Sequence, residues 1–157
     1  MCKLMELNVQ LQVRAEEVFE QLLRSIIQDF KQSTGQTISK EQLAKNFSYQ
    51  KNIKNRMGYD TPVKVHIDEL IPSKEYRATI EHLKGINTMA YTLTDNENGV
   101  EIHYKEGYQA ATALQNWNYI LASIFFARKS KKNMRKQFVY LEEVIKNENL
   151  SSQREVI

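Results

Sequence analysis

The stretch Leu7-Asn8-Val9-Gln10-Leu11-Gln12-Val13-Arg14-Ala15-Glu16-Glu17-Val18-Phe19 decides the fold, because the spacing of its apolar residues changes partway along. Leu7, Val9, Leu11 and Val13 alternate with polar neighbours, the two-residue period of a strand with one buried face. Beyond Arg14 the period lengthens. Val18, Phe19, Leu22, Leu23, Ile26, Ile27 and Phe30 recur at three- and four-residue steps, which predicts an amphipathic helix over 15–32. Glu16 and Glu17 fall in its first turn, where negative charge complements the helix dipole, and Ser33-Thr34-Gly35 ends it.

Working outward, Ser39 with Gln42 three residues on has the spacing of a capping box, so 37–46 reads as a short helix or a polar loop. The two-residue period then returns. Phe47, Tyr49, Lys51 and Ile53 form one face of a strand, and Val63, Val65 and Ile67 the apolar face of the next, which Pro62 opens. Tyr76, Ala78 and Ile80 follow after the turn Pro72-Ser73-Lys74, and Met89, Tyr91 and Leu93 after Lys84-Gly85. Asp95 to Gly99 closes a hairpin whose Asn98-Gly99 pair favours positive φ, and Val100, Ile102 and Tyr104 continue beyond it. Strands joined by short turns make an antiparallel meander of about six strands, wet on one face and covered by helices on the other.

The C-terminal third carries two helical stripes. Leu114, Trp117, Ile120, Leu121, Ile124 and Phe125 form the first, and Met134, Phe138, Leu141, Val144 and Ile145 the second. On one ideal helix their centres lie about 130° apart, whereas a heptad pattern drifts only about 20° per heptad. One straight helix over both would run about 55 Å, beyond the roughly 40 Å breadth of a globule of this length. The expectation is therefore a helix over 111–129, a break near 128–133 and a second helix over 131–147. One domain would span 1–149, with 150–157 a frayed tail.

Composition narrows the function classes. The 157 residues carry 22 Lys+Arg, 19 Asp+Glu and one Cys, for a net charge of +3. A single Cys, Cys2, excludes an internal disulfide framework and a Cys-based zinc site. No apolar run approaches the length of a membrane span. No long apolar stretch follows Lys3, so no secretory leader is expected and the cytoplasm is the expected location. Charge is uneven: no Asp or Glu occurs from Gly107 to Leu141, while Arg128, Lys129, Lys131, Lys132, Arg135 and Lys136 are all basic. On a helix these six project within an arc of about 160°.

The opening strand leads into Ala15-Glu16-Glu17-Val18-Phe19, and a meander and long C-terminal helix follow. This order resembles the START-like superfamily, whose α+β helix-grip fold curls an antiparallel sheet around a long helix. Tyr49-Gln50-Lys51, Val63-Lys64-Val65, Ile71-Pro72, Tyr91-Thr92-Leu93, Gly99 to Glu106 and the basic Lys129-Ser130-Lys131-Lys132 are similar to an uncharacterised bacterial family within it. The resemblance covers about 4–146. It implies a cavity between sheet and helix, which relatives use for lipids, sterols, polyketides or other apolar ligands. It also implies an accessory cytoplasmic protein, often encoded beside sugar phosphotransferase genes, and it brings no catalytic signature.

Candidate site residues follow from parity. Tyr76, Tyr91 and Tyr104 share the apolar face of their strands, and Trp117 and Leu121 lie on the covering face of the helix. In an open cavity their polar tips would orient a small hydrophobic or amphipathic ligand; in a closed one they fill the core. His66, His82 and His103 lack the spacing of a metal site, so no metal or cofactor is expected. His66 and His103 face outward with Asp68 and Glu101, where an open sheet excludes no water from a general base. Glu69 would point inward if the parity of Val63, Val65 and Ile67 continued, giving a buried carboxylate. No phosphate loop, nucleophile elbow or dinucleotide fingerprint occurs, so no catalytic residue is named. The basic cluster reads as a solvated helix end, or as a surface for an anionic membrane or a protein partner. A sequence pI near 8.9 without a reader motif argues against nucleic acid.

Overall fold

The computed structural model describes residues 2–54, 58–83, 85–110 and 113–155, and side chains over 5–53, 58–83, 85–109 and 131–153. Strand β1 (Cys2–Leu11) leads into helix α1 (Ala15–Thr34) and a single 3-10 turn, Lys40–Gln42. Strands β2 (Ser48–Lys54), β3 (Asp60–Ile71), β4 (Glu75–His82), β5 (Gly85–Asn96) and β6 (Gly99–Ala110) follow, and helix α2 (Ala113–Glu155) closes the chain. The strands form one curved antiparallel sheet in the order β1-β6-β5-β4-β3-β2. The meander is thus completed by β1 returning to lie beside β6.

The change of period at Val13 to Ala15 is visible in the backbone. Arg14 is extended, and its N–H donates to Glu17 Oε1 at 3.0 Å. α1 ends on Gly35 in the left-handed conformation, as the Ser33-Thr34-Gly35 stop requires. The Ser39/Gln42 pair forms its capping box, and the element it starts is only the one 3-10 turn. At the β5–β6 hairpin Asn96 pairs with Gly99, so the turn residues are Glu97 and Asn98. Of the expected Asn98-Gly99 pair only Gly99 has positive φ, +129°, and a Cβ there would collide with the backbone carbonyl of Leu11.

The C-terminal expectation requires correction. α2 is one continuous 43-residue helix with no break at 128–133. Neither Gly nor Pro occurs between Ala113 and Glu155, so nothing interrupts the backbone ladder. A shift in the phase of apolar stripes changes which side of a helix is apolar without unwinding it. The helix is about 65 Å long, well beyond the breadth that the length argument took as a limit. It also runs through 150–155, where a frayed tail was expected.

The core lies between the inner face of the sheet and the two helices. One cluster joins Leu7, Leu11, Val18, Val100 and Ile102 to Phe138 and Ile145 of α2. A second joins Ile26 and Phe30 of α1 to Leu43, Tyr49, Val65, Ile67, Tyr76 and Ala78.

Candidate functional site

The site begins with strand register. Tyr76 pairs with Tyr91 across β4–β5, and Tyr91 with Tyr104 across β5–β6. Three tyrosines therefore stand in one row on the inner face. Tyr76 and Tyr91 stack with ring centroids 5.9 Å apart, and Tyr91 and Tyr104 lie 4.9 Å apart and tilted. Phe138 of α2 caps the row edge-on, 6.3 Å from Tyr91 and 6.1 Å from Tyr104. Tyr76 and Tyr104 are buried and Tyr91 is half-buried.

A cavity of about 310 Å³ opens beside Tyr91, between α1 and α2. Leu22 and Ser25 of α1 form one wall, and Met134, Phe138, Leu141 and Val144 of α2 the other. The lining is mainly apolar, with Gln21, Gln137 and Tyr140 among its polar members. The Tyr91 hydroxyl has no hydrogen-bond partner among the described residues. Burial pushes its phenol up to about 12, and the carboxylate of Glu106 adds to the effect. Tyr76 and Tyr104 are likewise held above the usual phenol range, chiefly by burial. All three are neutral hydroxyls at physiological pH.

Glu106 was not singled out from sequence, yet it completes this face. It stands two residues beyond Tyr104 on the same side of β6 and pairs with Met89, which in turn pairs with Ala78. Burial raises its carboxyl above the ordinary carboxylate value, while a hydrogen bond from Tyr104 pulls it partly back. The signal was available: the parity of Val100, Ile102 and Tyr104 reaches Glu106 if followed one step further.

Glu69, expected inside, lies outside. Between Ile67 and Glu69 the β3–β4 register shifts, so Ile67 pairs with inward Ala78 but Glu69 with outward Arg77. The bulge reverses the parity that would have buried the carboxylate. Glu69 instead meets Lys45 at 3.4 Å and Arg77 at 3.8 Å.

The histidines pair locally. His66 Nδ1 lies 2.9 Å from Asp68, whose other oxygen accepts from Thr79, and His103 pairs with Glu6. His82 Nε2 is 3.2 Å from the Asn87 side-chain oxygen, and its ring stacks on Tyr108. Among the described residues no group of three His, Cys, Asp or Glu side chains is placed to hold a metal. A second hollow, about 390 Å³, lies over the outer face between the rows Arg77–Ala90–Lys105 and Thr79–Thr88–Gly107. Its Arg77 is tied to Glu75 at 2.6 Å and its Thr79 to Asp68, so its polar groups are largely engaged.

Trp117, Leu121, Arg128 and Lys129 lie on α2 outside the residues whose side chains are described. Lys131, Lys132, Arg135 and Lys136 are exposed on the same helix, away from the tyrosine row. Among the described residues no helix is long and apolar enough to cross a membrane.

Comparison with known proteins adds family and fold. A family model described as a domain of unknown function, DUF3284, matches residues 5–127. No curated protein matches the sequence significantly. A protein of unknown function from Staphylococcus aureus is similar in structure, with a TM-score of 0.63 at 13% identity, covering 93% of this chain and 94% of that one. The di-domain ARO/CYC StfQ from the steffimycin biosynthetic pathway superposes with a TM-score of 0.58 at 8% identity, over 94% of this chain and 51% of its own. Ara h 8.0201 gives 0.56 at 11% identity, over 94% and 97%. At these identities the likeness is one of fold alone. With the curved six-stranded sheet and long C-terminal helix, the architecture is α+β helix-grip, START-like.

Proposed function

The chain belongs to the DUF3284 family, and from that premise we propose that it is a non-enzymatic binding protein for a small apolar or amphipathic ligand held between sheet and C-terminal helix. The observation that carries this reading is the 310 Å³ cavity walled by Leu22, Met134, Phe138, Leu141 and Val144, with Tyr91, whose hydroxyl has no hydrogen-bond partner among the described residues, in its lining. An apolar lining with a few oriented polar groups is the usual composition of a small-molecule site. The volume is near the lower end of the common range, roughly 300–1,000 Å³, which favours a compact ligand. Tyr91 would donate to an acceptor on that ligand, and the aromatic row behind it would face the apolar body.

Binding is favoured over catalysis by the chemistry of the inner face. Its described polar groups near the cavity are neutral phenols, amides and the Ser25 hydroxyl, with one half-buried carboxylate, Glu106, already bonded to Tyr104. Among the described residues no hydroxyl of the cavity lining is paired with a carboxylate or imidazole.

The test is native mass spectrometry of the full chain purified from its own host, repeated with Ser25→Trp to fill the cavity mouth. The expected result is a co-purifying small molecule that is missing from the variant, with the melting temperature little changed. A wild-type chain at its bare mass that also fails to take up a fluorescent fatty-acid analogue refutes the proposal.

A further inference from the structure

The α2 segment that walls the cavity also carries the most one-sided charge in the molecule. Lys131, Lys132, Arg135 and Lys136 are all exposed, and none has an ion pair among the described residues. No acidic residue precedes them on α2, and the first that follow are Glu142 and Glu143. Glu142 is engaged with the Gln12 backbone N–H at 2.7 Å and with Lys146 at 3.4 Å. At about 100° per residue the four cations occupy one arc of roughly 140°, and Val139 falls inside that arc. Val139 is 51% exposed. The buried stripe of Phe138 and Ile145 lies on the remaining side of the helix. The four cations stay exposed beside that contact.

We propose that this face of α2 docks on an anionic lipid bilayer. Four unneutralised cations match the negative surface of such a bilayer. The exposed Val139 gives the face an apolar component that a sugar-phosphate backbone would not reward, and a bilayer interface would. Lysine and arginine stems can lie along the apolar boundary while their charged ends stay at the headgroups. This inference is independent of the cavity: docking needs no ligand, and ligand uptake needs no bilayer.

The experiment is co-sedimentation of the full chain with vesicles of phosphatidylcholine, with and without phosphatidylglycerol. Each engaged cation is expected to strengthen binding about fivefold, so the four together give several-hundredfold preference for the anionic vesicles. Raising salt from about 0.01 M to 1 M shortens the screening length from about 30 Å to 3 Å and should release the protein. The double variant Lys131→Glu/Lys132→Glu should lose most of the binding with unchanged helix content; if it misfolds, Lys131→Gln/Lys132→Gln should show a smaller loss. Val139→Ser should weaken binding without altering the salt dependence. Absence of binding to anionic vesicles at low salt overturns the proposal. So does binding that survives the charge substitutions, or a preference for duplex DNA or an acidic polypeptide over the vesicles.

Discussion

The two clusters on the inner face of the sheet are built differently. The first, around Leu11, Val100 and Ile102, is mostly aliphatic and is closed by Phe138 and Ile145 of α2. The second, around Ile67 and Phe30, is richer in rings, with Phe30, Phe47 and Tyr49 mutually 5.5–6.2 Å apart. It ends in a polar tie, where Tyr49 donates to Asp29 and Lys51 Nζ sits 2.9 Å from the same carboxylate. Leu22, Leu23, Leu70, Met89 and Tyr91 touch both clusters and are only partly buried. The cavity opens at this seam, because Leu22 and Tyr91 are among its walls. Two closed cores hold the fold, and the seam between them is left open.

Substitutions should grade along that contrast. Phe138→Ala removes the largest α2 side chain from the first core and should cost about 4 kcal/mol in urea unfolding. Its effect should add to that of Ile67→Ala in the second core within about 0.5 kcal/mol, if the clusters are independent. A large coupling energy would merge them. Asp29→Ala should cost about 2 kcal/mol, because Tyr49 and Lys51 both lose their acceptor. Asp29→Asn should cost less, since the amide oxygen still accepts from Tyr49. At the seam, Tyr91→Phe should leave the unfolding midpoint almost unmoved while weakening a bound fatty-acid probe by about 2- to 12-fold, the worth of one hydrogen bond. An equal effect on stability and affinity would make Tyr91 a core residue and nothing more.

The smallest expected effect is at Glu106, and its sign is definite. A carboxyl raised in the folded state binds its proton more tightly there than in the unfolded chain. The ionised group therefore penalises folding above its folded value, and the penalty fades as pH falls towards the ordinary carboxylate value. Glu106→Gln should stabilise the protein at neutral pH, and the gap to the wild type should close on acidification. Thermal melts across that interval check the direction.

Much of this arrangement could be read from residue order. The change of period at Val13 to Ala15 marks a strand passing into a helix, and the alternations centred on Val65, Ala78, Tyr91 and Ile102 mark neighbouring strands. The tyrosine row follows from their parity once the strands are paired in order. What escaped depended on geometry that local patterns do not encode. The bulge before Glu69 leaves no mark in a two-residue alternation, yet it turns a carboxylate from inside to outside. The two stripes of α2 differ in phase, but a difference in phase does not interrupt the backbone of a helix. Glu106 lay one step beyond the last alternating residue considered. The cavity depends on how α1 approaches α2 across Tyr91, a distance set by packing and not by either helix alone.

The most direct test of the central claim is methyl NMR of the full chain during titration with a short fatty acid. If the seam between the cores holds the ligand, the methyl signals of Leu22, Met134, Leu141 and Val144 should move together and saturate, while those of Leu11, Val100 and Ile102 stay in place. Shifts confined to surface methyls such as Val139 and Leu150, or no saturable shift at all, would contradict it.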